Sequence, residues 1–509
     1  MTDIAIPAVV RGRIVRDGLV RFNGRGANPS FLAPDPERLL ADLPLHDPGA
    51  LGALHSLPFD EIVDYLAQLG EHLHPDRNEY LAEALEHSVH WSDMTAPLVR
   101  SAYEQLPALF AAGTVREVAD TAIGIDRLDG WFEMTMSDGR TAAIRAMGAR
   151  AVHIIAGNSP LVAALTIVRN AITRSDAVIK VPSNDPLTAL AIARTMAAIA
   201  PDHPITRHVS VAYWKGGSQE FERRLYRPAN LEKIIAWGGL ASVRHITRYI
   251  QPGLELVALD PKRSATVIGA EALTDASTLA DVARRTATDV GALNQLGCLN
   301  ARVIYAVTGT DAPGLARADR LGQLVYDEIQ RLPAAVSTPV KHFDPELRAH
   351  LSALRTNPEY YRVVGGSRDE GAVIVSHLSE PVDFHPLLSG RVANIVPVDT
   401  ALDALKHVNA YTQTIGVYPE SLKRRLREPL ALHGAQRLIS LGYAASGNTA
   451  LPQDAIEPLR RMVRWIVDET CDTSKVSPLW ASASEGGDVP QPKCSVRRED
   501  FCTNADSCP

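Results

Sequence analysis

The sequence predicts an α/β protein: a parallel sheet covered by helices on both faces, followed by a second α/β layer. Three observations predict it. Short apolar runs alternate with helix-length segments between residues 151 and 250, the runs stop on Gly, Asn or Pro, and the alternation resumes from 265 to 440. Strands that alternate with helices lie parallel, and such sheets bind ligands at the carboxyl ends of their strands.

Residues 1–55 are rich in Pro, Gly and Asp, and only short strands are expected there, at 9–15 and 19–22. From Phe59 apolar residues fall at helical spacing, so 58–140 reads as a helical region. The first run, Ala151-Val152-His153-Ile154-Ile155, ends at Ala156-Gly157-Asn158-Ser159-Pro160 and is expected to be a buried strand and turn. A helix over 161–173 follows, then a strand over 177–181 closed by Pro182, and a helix over 187–199. Strands at 208–214 and 234–237 flank a helix around 221–225, and another helix is expected near 241–250. These assignments put Asn158, Lys180, Trp214 and Trp237 at or near strand ends. In the second layer, strands are expected at 264–268, 301–307 and 392–396, a helix at 278–290, and an amphipathic helix at 455–467.

With 509 residues the chain is too long for one core. A net charge of −7 disfavours a general nucleic-acid binder, and no apolar run is long enough for stable membrane insertion. The opening residues do not read as a secretory signal, so a cytoplasmic location is expected. Of five cysteines, Cys298 alone lies in the body of the chain. Cys471, Cys494, Cys502 and Cys508 cluster near the end, in a segment without apolar periodicity that reads as a flexible tail. Their spacing fits no standard zinc pattern, and no metal is expected.

Four segments could carry chemistry. Cys298 stands in Asn294-Gln295-Leu296-Gly297-Cys298-Leu299-Asn300, between a helix and a strand. A thiol on such a loop can act as a nucleophile, and alone it is equally a buried structural cysteine. Asn158 could donate to a developing oxyanion or simply make a turn. Lys180, with Ser183 in Lys180-Val181-Pro182-Ser183, could bind a ribose or phosphate, or be a rim lysine. Trp237-Gly238-Gly239 could let the backbone approach a pyrophosphate, or be only a turn. No G-x-G-x-x-G fingerprint follows a strand.

Taken in order, strand–Asn–Pro, strand–Lys–Pro–Ser, strand–Gly–Gly and later Gly–Cys, these segments resemble the aldehyde dehydrogenase superfamily. Within it the chain resembles the long-chain acyl-CoA reductase family, the reductase of bacterial bioluminescence systems. Lys180-Val181-Pro182-Ser183-Asn184-Asp185-Pro186, Asp260-Pro261-Lys262, Gln295-Leu296-Gly297-Cys298, Gly434-Ala435-Gln436-Arg437 and above all Tyr411-Thr412-Gln413-Thr414-Ile415-Gly416-Val417 carry that likeness. It covers roughly residues 58–468.

The resemblance implies an aldehyde-dehydrogenase-like fold: a Rossmann-type cofactor domain and an α/β catalytic domain with the active site between them. The expected domains are 1–57 (strands and loop), 58–140 (helices), 141–270 (cofactor), 271–400 (catalytic, with the cysteine), 401–469 (returning to the cofactor domain and oligomer interface) and 470–509 (tail), the first and last lying outside the resemblance. Cys298 would accept the acyl group, with Asn158 and the Cys298 backbone N–H as oxyanion hole. Lys180 and Ser183 would face the adenosine half of the cofactor, and Trp237, Gly238 and Gly239 its pyrophosphate. The implied reaction is NADPH-dependent reduction of a long-chain acyl-CoA or acyl-protein thioester to an aldehyde, with NADH not excluded. An acyl-protein synthetase partner and a homo-oligomer are implied too.

Two departures stand out. Oxidising relatives carry a water-activating Glu where this chain has Ala258 or, with a gap, Glu255. The family's Pro-His-Asp-Gly is here Pro452-Gln453-Asp454-Ala455. A modestly lowered Cys298 pKa is expected from a nearby cation. His245 is an acid/base candidate, or an ordinary helix-face histidine. Aldehyde oxidation to the acid and a non-redox acyl carrier are the alternative functions.

Overall fold

The computed structural model describes residues 4–26, 28–474, 476, 478 and 480. The body comprises 4–129 and 146–464, and two seven-stranded sheets organise it.

In the first sheet, strands Glu255–Leu259, Lys233–Trp237, Arg150–Ile154, Asp176–Lys180 and Val209–Ala212 lie side by side and parallel. Their apolar runs are continuous because both faces are covered: Val152, Val178, Ile179 and Ile234 are fully buried. Each such side chain contributes roughly 1.5–3 kcal/mol by leaving water. Helices Leu161–Ile172 and Thr188–Ile199 are buried along almost their whole length. The N-terminal segment expected as one strand over 9–15 is instead a hairpin. Strand Ala8–Val10 pairs antiparallel with Val209–Ala212, and Arg13–Val15 turns back upon it. The reversal is made by Arg11 and Gly12, both at positive φ (50° and 79°), the geometry of a tight two-residue hairpin turn.

The second sheet runs in the order Tyr361–Gly365, Ala372–Ser376, Val392–Pro397, Ala301–Ala306, Arg263–Ile268, Thr412–Tyr418, Arg437–Ser440, parallel except for its first pair. Helices Ala276–Gly291 and Ala312–Arg331 pack one face through Val282, Ala283, Leu321 and Val325. Helices Pro345–Leu354 and Glu420–Leu432 pack the other through Leu347, Leu351, Leu426 and Leu430. Strand Arg263–Ile268 changes register between Ser264 and Ala265 against Ala301–Ala306 and between Arg263 and Ala265 against Thr412–Tyr418. Such a bulge re-aims the side chains around it, and it lies beside the cysteine loop.

The helical region gives way at Asp129. Gly130–Arg145 and the described residues from Trp465 onward form a separate compact unit. Its antiparallel hairpin, Phe132–Thr135 with Thr141–Met147, is extended by strand Arg464–Thr470. The amphipathic helix expected over 455–467 is therefore not formed. Only Pro458–Met462 is helical. Asp454 and Ala455 have left-handed backbones (φ 54° and 61°), which cannot start a helix, and Trp465-Ile466-Val467 suits a strand. Among the described residues no helix is long and apolar enough to cross a membrane. Cys471 is exposed, while Cys494, Cys502 and Cys508 lie outside the described residues.

Candidate active site

Cys298 follows a segment in which Leu293, Asn294 and Gln295 all have left-handed backbones, φ 53°, 53° and 64°. Each such non-glycine residue costs on the order of 1–3 kcal/mol and persists only where its surroundings enforce it. Buried amides enforce it here. Gln295 donates through Nε2 to the carbonyls of Ala301 (2.9 Å) and Val392 (2.8 Å) and accepts from Val392 N–H (2.9 Å). Asn294 accepts from Thr338 N–H at 2.8 Å and donates to its hydroxyl at 3.1 Å. Asn300 accepts from Gly297 N–H at 2.9 Å and donates to the carbonyls of Ala292 and Asp289. Ser264, at the bulge, donates to the Cys298 carbonyl at 2.7 Å and accepts from Thr414 N–H at 3.1 Å.

Asn158 reaches this loop from the first sheet: its Nδ2 donates to the Leu296 carbonyl at 3.2 Å, and its Oδ1 is buried without a partner. The turn that carries it is locked to the next strand's loop. Asn184 donates to the Gly157 carbonyl at 3.0 Å, and a Cβ on Gly157 would collide with Asn184 and Pro182. That close approach explains Gly at 157.

The thiol has a neighbour that the sequence reading did not single out. Gln413, in strand Thr412–Tyr418, donates through Nε2 to Cys298 Sγ at 3.1 Å and to Asp454 Oδ1 at 2.6 Å. Burial, and then the Asp454 carboxylate, push the thiol pKa up, against the opposing effects of Gln413 and Arg302. The expected lowering is thus reversed, because the carboxylate and desolvation outweigh the cation. Burial also raises Asp454. Gln413 was signalled by its place in the most family-specific segment, and Asp454 by the altered Gln453-Asp454-Ala455 motif.

On the first sheet, Lys180 ends its strand with its ammonium 5.6 Å from the Tyr213 ring centroid and 5.8 Å from that of Trp214. Burial pushes its pKa down to about 8. Ser183 hydrogen-bonds to the Tyr213 hydroxyl. Trp237 ends its strand under the Arg169 guanidinium, 5.8 Å from the ring centroid. Gly239 caps helix Leu240–Thr247, and a Cβ there would meet nothing within 4 Å. Neither Gly238 nor Gly239 is at positive φ, so neither backbone conformation nor packing demands glycine. Arg169 also donates to Gln453 Oε1 at 3.1 Å. The strand end at Trp237 is thereby joined through Arg169, the 453–454 loop and Gln413 to Cys298.

Two further residues weighed as candidates are engaged elsewhere. His245 is held by Glu222 at 2.5 Å beside Tyr249, whose hydroxyl donates to the same carboxylate at 2.9 Å. It is fixed within the first sheet's own packing and is not an acid/base group for Cys298. Glu255 begins its strand, at the end opposite Trp237's, and is bound by Lys233 (2.6 Å) and Arg461 (2.9 Å).

Solved structures fix the fold. A glyceraldehyde-3-phosphate dehydrogenase from Bacillus halodurans superposes with a TM-score of 0.69 at 15% identity, covering 92% of this chain and 99% of that one. Aldehyde dehydrogenase 21 from Physcomitrella patens gives 0.70 at 13%, covering 92% and 99%. The fold is aldehyde-dehydrogenase-like. Residues 54–465 match the family described as acyl-CoA reductase (LuxC), and the chain belongs to that family. The long-chain acyl-protein thioester reductase of Vibrio harveyi is 27% identical over 326 residues, 63% of this chain and 64% of that protein. That of Photorhabdus laumondii is 29% identical over 324 residues, 63% and 64%. The chain thus aligns with slightly under two thirds of the length of these relatives.

Proposed function

We propose that this protein reduces a long-chain fatty acyl thioester, carried on coenzyme A or on a protein, to the aldehyde, with Cys298 holding the acyl group and NADPH as reductant. The observation that carries the reading is the delivery of Asn158 onto a Cys298 loop held rigid by buried amides. The family and the printed activity of its relatives support the same chemistry.

The Cys298 thiolate attacks the thioester carbonyl. The Asn158 amide and the Cys298 N–H stabilise the oxyanion. The carrier thiolate leaves and takes a proton, and the acyl group remains on sulfur. NADPH, when bound, supplies the hydride that reduces this acyl group. Loss of the aldehyde returns the cysteine. A nicotinamide dinucleotide fits the residues present: Gly239 opens onto free space, the first N–H groups of helix Leu240–Thr247 suit a pyrophosphate, and Lys180 and Ser183 suit the adenosine ribose. Trp237 and Gly238 would border the pyrophosphate. On this reading 141–270 serves the cofactor and 271–400 the cysteine. The sheet unit, with Trp131 and Val467 exposed, would join copies of the chain, and an acyl-protein synthetase would deliver the substrate.

The engagement of Glu255 by Lys233 and Arg461 disfavours oxidation to the acid, which needs a base for water. The test is a radiolabelled long-chain acyl-CoA followed by NADPH. Label bound to the protein, released as aldehyde on adding NADPH and absent in Cys298→Ala, is expected. Label leaving only as free acid would replace this reading with hydrolysis, and label that stays would replace it with an acyl carrier.

A further inference from the structure

We propose that Gln413 and Asp454 control the Cys298 thiol together: Gln413 holds the sulfur, and Asp454 is a positioning residue that orients Gln413 and sets the pH at which the sulfur ionises. The inference deepens the acyl-cysteine reading, since Cys298 is the group it acts upon.

One nitrogen makes both contacts, Nε2 to Sγ at 3.1 Å and Nε2 to Asp454 Oδ1 at 2.6 Å. An ionised carboxylate can only accept, so it selects the amide orientation that presents N–H groups. The flipped amide would set its own carbonyl against the carboxylate and leave no donor on the sulfur. Asp454 thus secures a donor that favours the thiolate, while its own charge opposes the thiolate. The other charged groups acting on the sulfur are Arg302 and Arg437. Those acting on Asp454 are Lys262, Asp260 and Arg169. Lys262 is bonded to the Ala410 carbonyl and Arg169 to Gln453. The 453–456 turn is closed by paired backbone bonds of 2.9 and 3.0 Å between Gln453 and Ile456, which hold Asp454 at its left-handed φ of 54°.

The test is the pH dependence of Cys298 alkylation by iodoacetamide in the full chain, read at the Cys298 peptide by mass spectrometry. Asp454→Asn keeps an acceptor for Gln413 and removes the charge, so the midpoint is expected to fall by about one pH unit. Gln413→Leu removes the donor and is expected to raise it by about one unit. The near-isosteric Gln413→Glu, which preserves packing, is expected to raise it further. Opposite shifts establish the pair. Midpoints that stay put, or move together while the melting temperature drops, would make it a structural contact and overturn the proposal. Alkylation needs neither acyl donor nor cofactor, so it reports on the pair even if acyl transfer to Cys298 fails.

Discussion

At the Cys298 loop nearly every buried amide is bonded to the chain itself; at the turn Trp237-Gly238-Gly239 and at Lys180 the polar groups face open space or aromatic rings. The difference teaches how the two halves of a two-substrate site can be read. On the proposed reading the Cys298 loop must be held in one place, and Asn294, Gln295 and Asn300 fix it. A cofactor would have to come and go, and on the same reading the uncrowded start of helix Leu240–Thr247 leaves room for one. The first region should therefore respond to substitution through stability, and the second through ligand affinity.

Four changes break or sharpen that contrast. The largest is Asn158→Ala, the link between the halves. It removes the proposed oxyanion donor, and kcat is expected to fall by about 100- to 1000-fold with little change in KM; an unchanged kcat would leave Asn158 as a brace for Leu296. Next is Gln295→Ala, which strands the polar groups of Ala301 and Val392. It should cost about 3 kcal/mol in chemical denaturation. Gly239→Ala is its counterpart: stability should stay within about 0.5 kcal/mol, while calorimetry should show NADPH bound about tenfold more weakly, because the new methyl group occupies the approach to the helix N-terminus.

The smallest effect is in pH. Burial keeps Lys180 near 8 in the folded state, below its ordinary 10.5. Between those values the unfolded chain binds more protons, so folding stability gains with rising pH from this group across about 8 to 10.5. In Lys180→Met that contribution should vanish, as melting curves across the window would show. Around pH 8 wild-type affinity for the anionic cofactor should decline as the folded-state ammonium is lost.

Much of the fold was legible where burial on both faces forces a continuous apolar run, as in Arg150–Ile154, Asp176–Lys180 and Lys233–Trp237. Legibility failed where pairing is remote. The first residues of strand Arg464–Thr470 fall in the helix expected over 455–467, because the strand's partner lies far upstream: Arg140 and Glu469, which meet at 3.4 Å, are 329 residues apart. The hairpin at Arg11-Gly12 was read as one strand because its turn is hidden in a single glycine. Cys298, Asn158, Lys180, Ser183, Trp237, Gly238 and Gly239 could be proposed as site candidates in advance, since their motifs are local in sequence. Gln413 and Asp454 were not, because they approach the sulfur from 115 residues and more along the chain.

The sequence by itself determined the alternation of strands and helices, the family, and the single thiol in the body of the chain, because apolar periodicity and short motifs are properties of neighbouring residues. The tertiary structure alone decided what surrounds that thiol. A bulge at Ser264, three left-handed residues before the cysteine and a carboxylate from the 453–454 loop set its geometry and its charge, and each depends on packing between segments that the order of residues does not bring together.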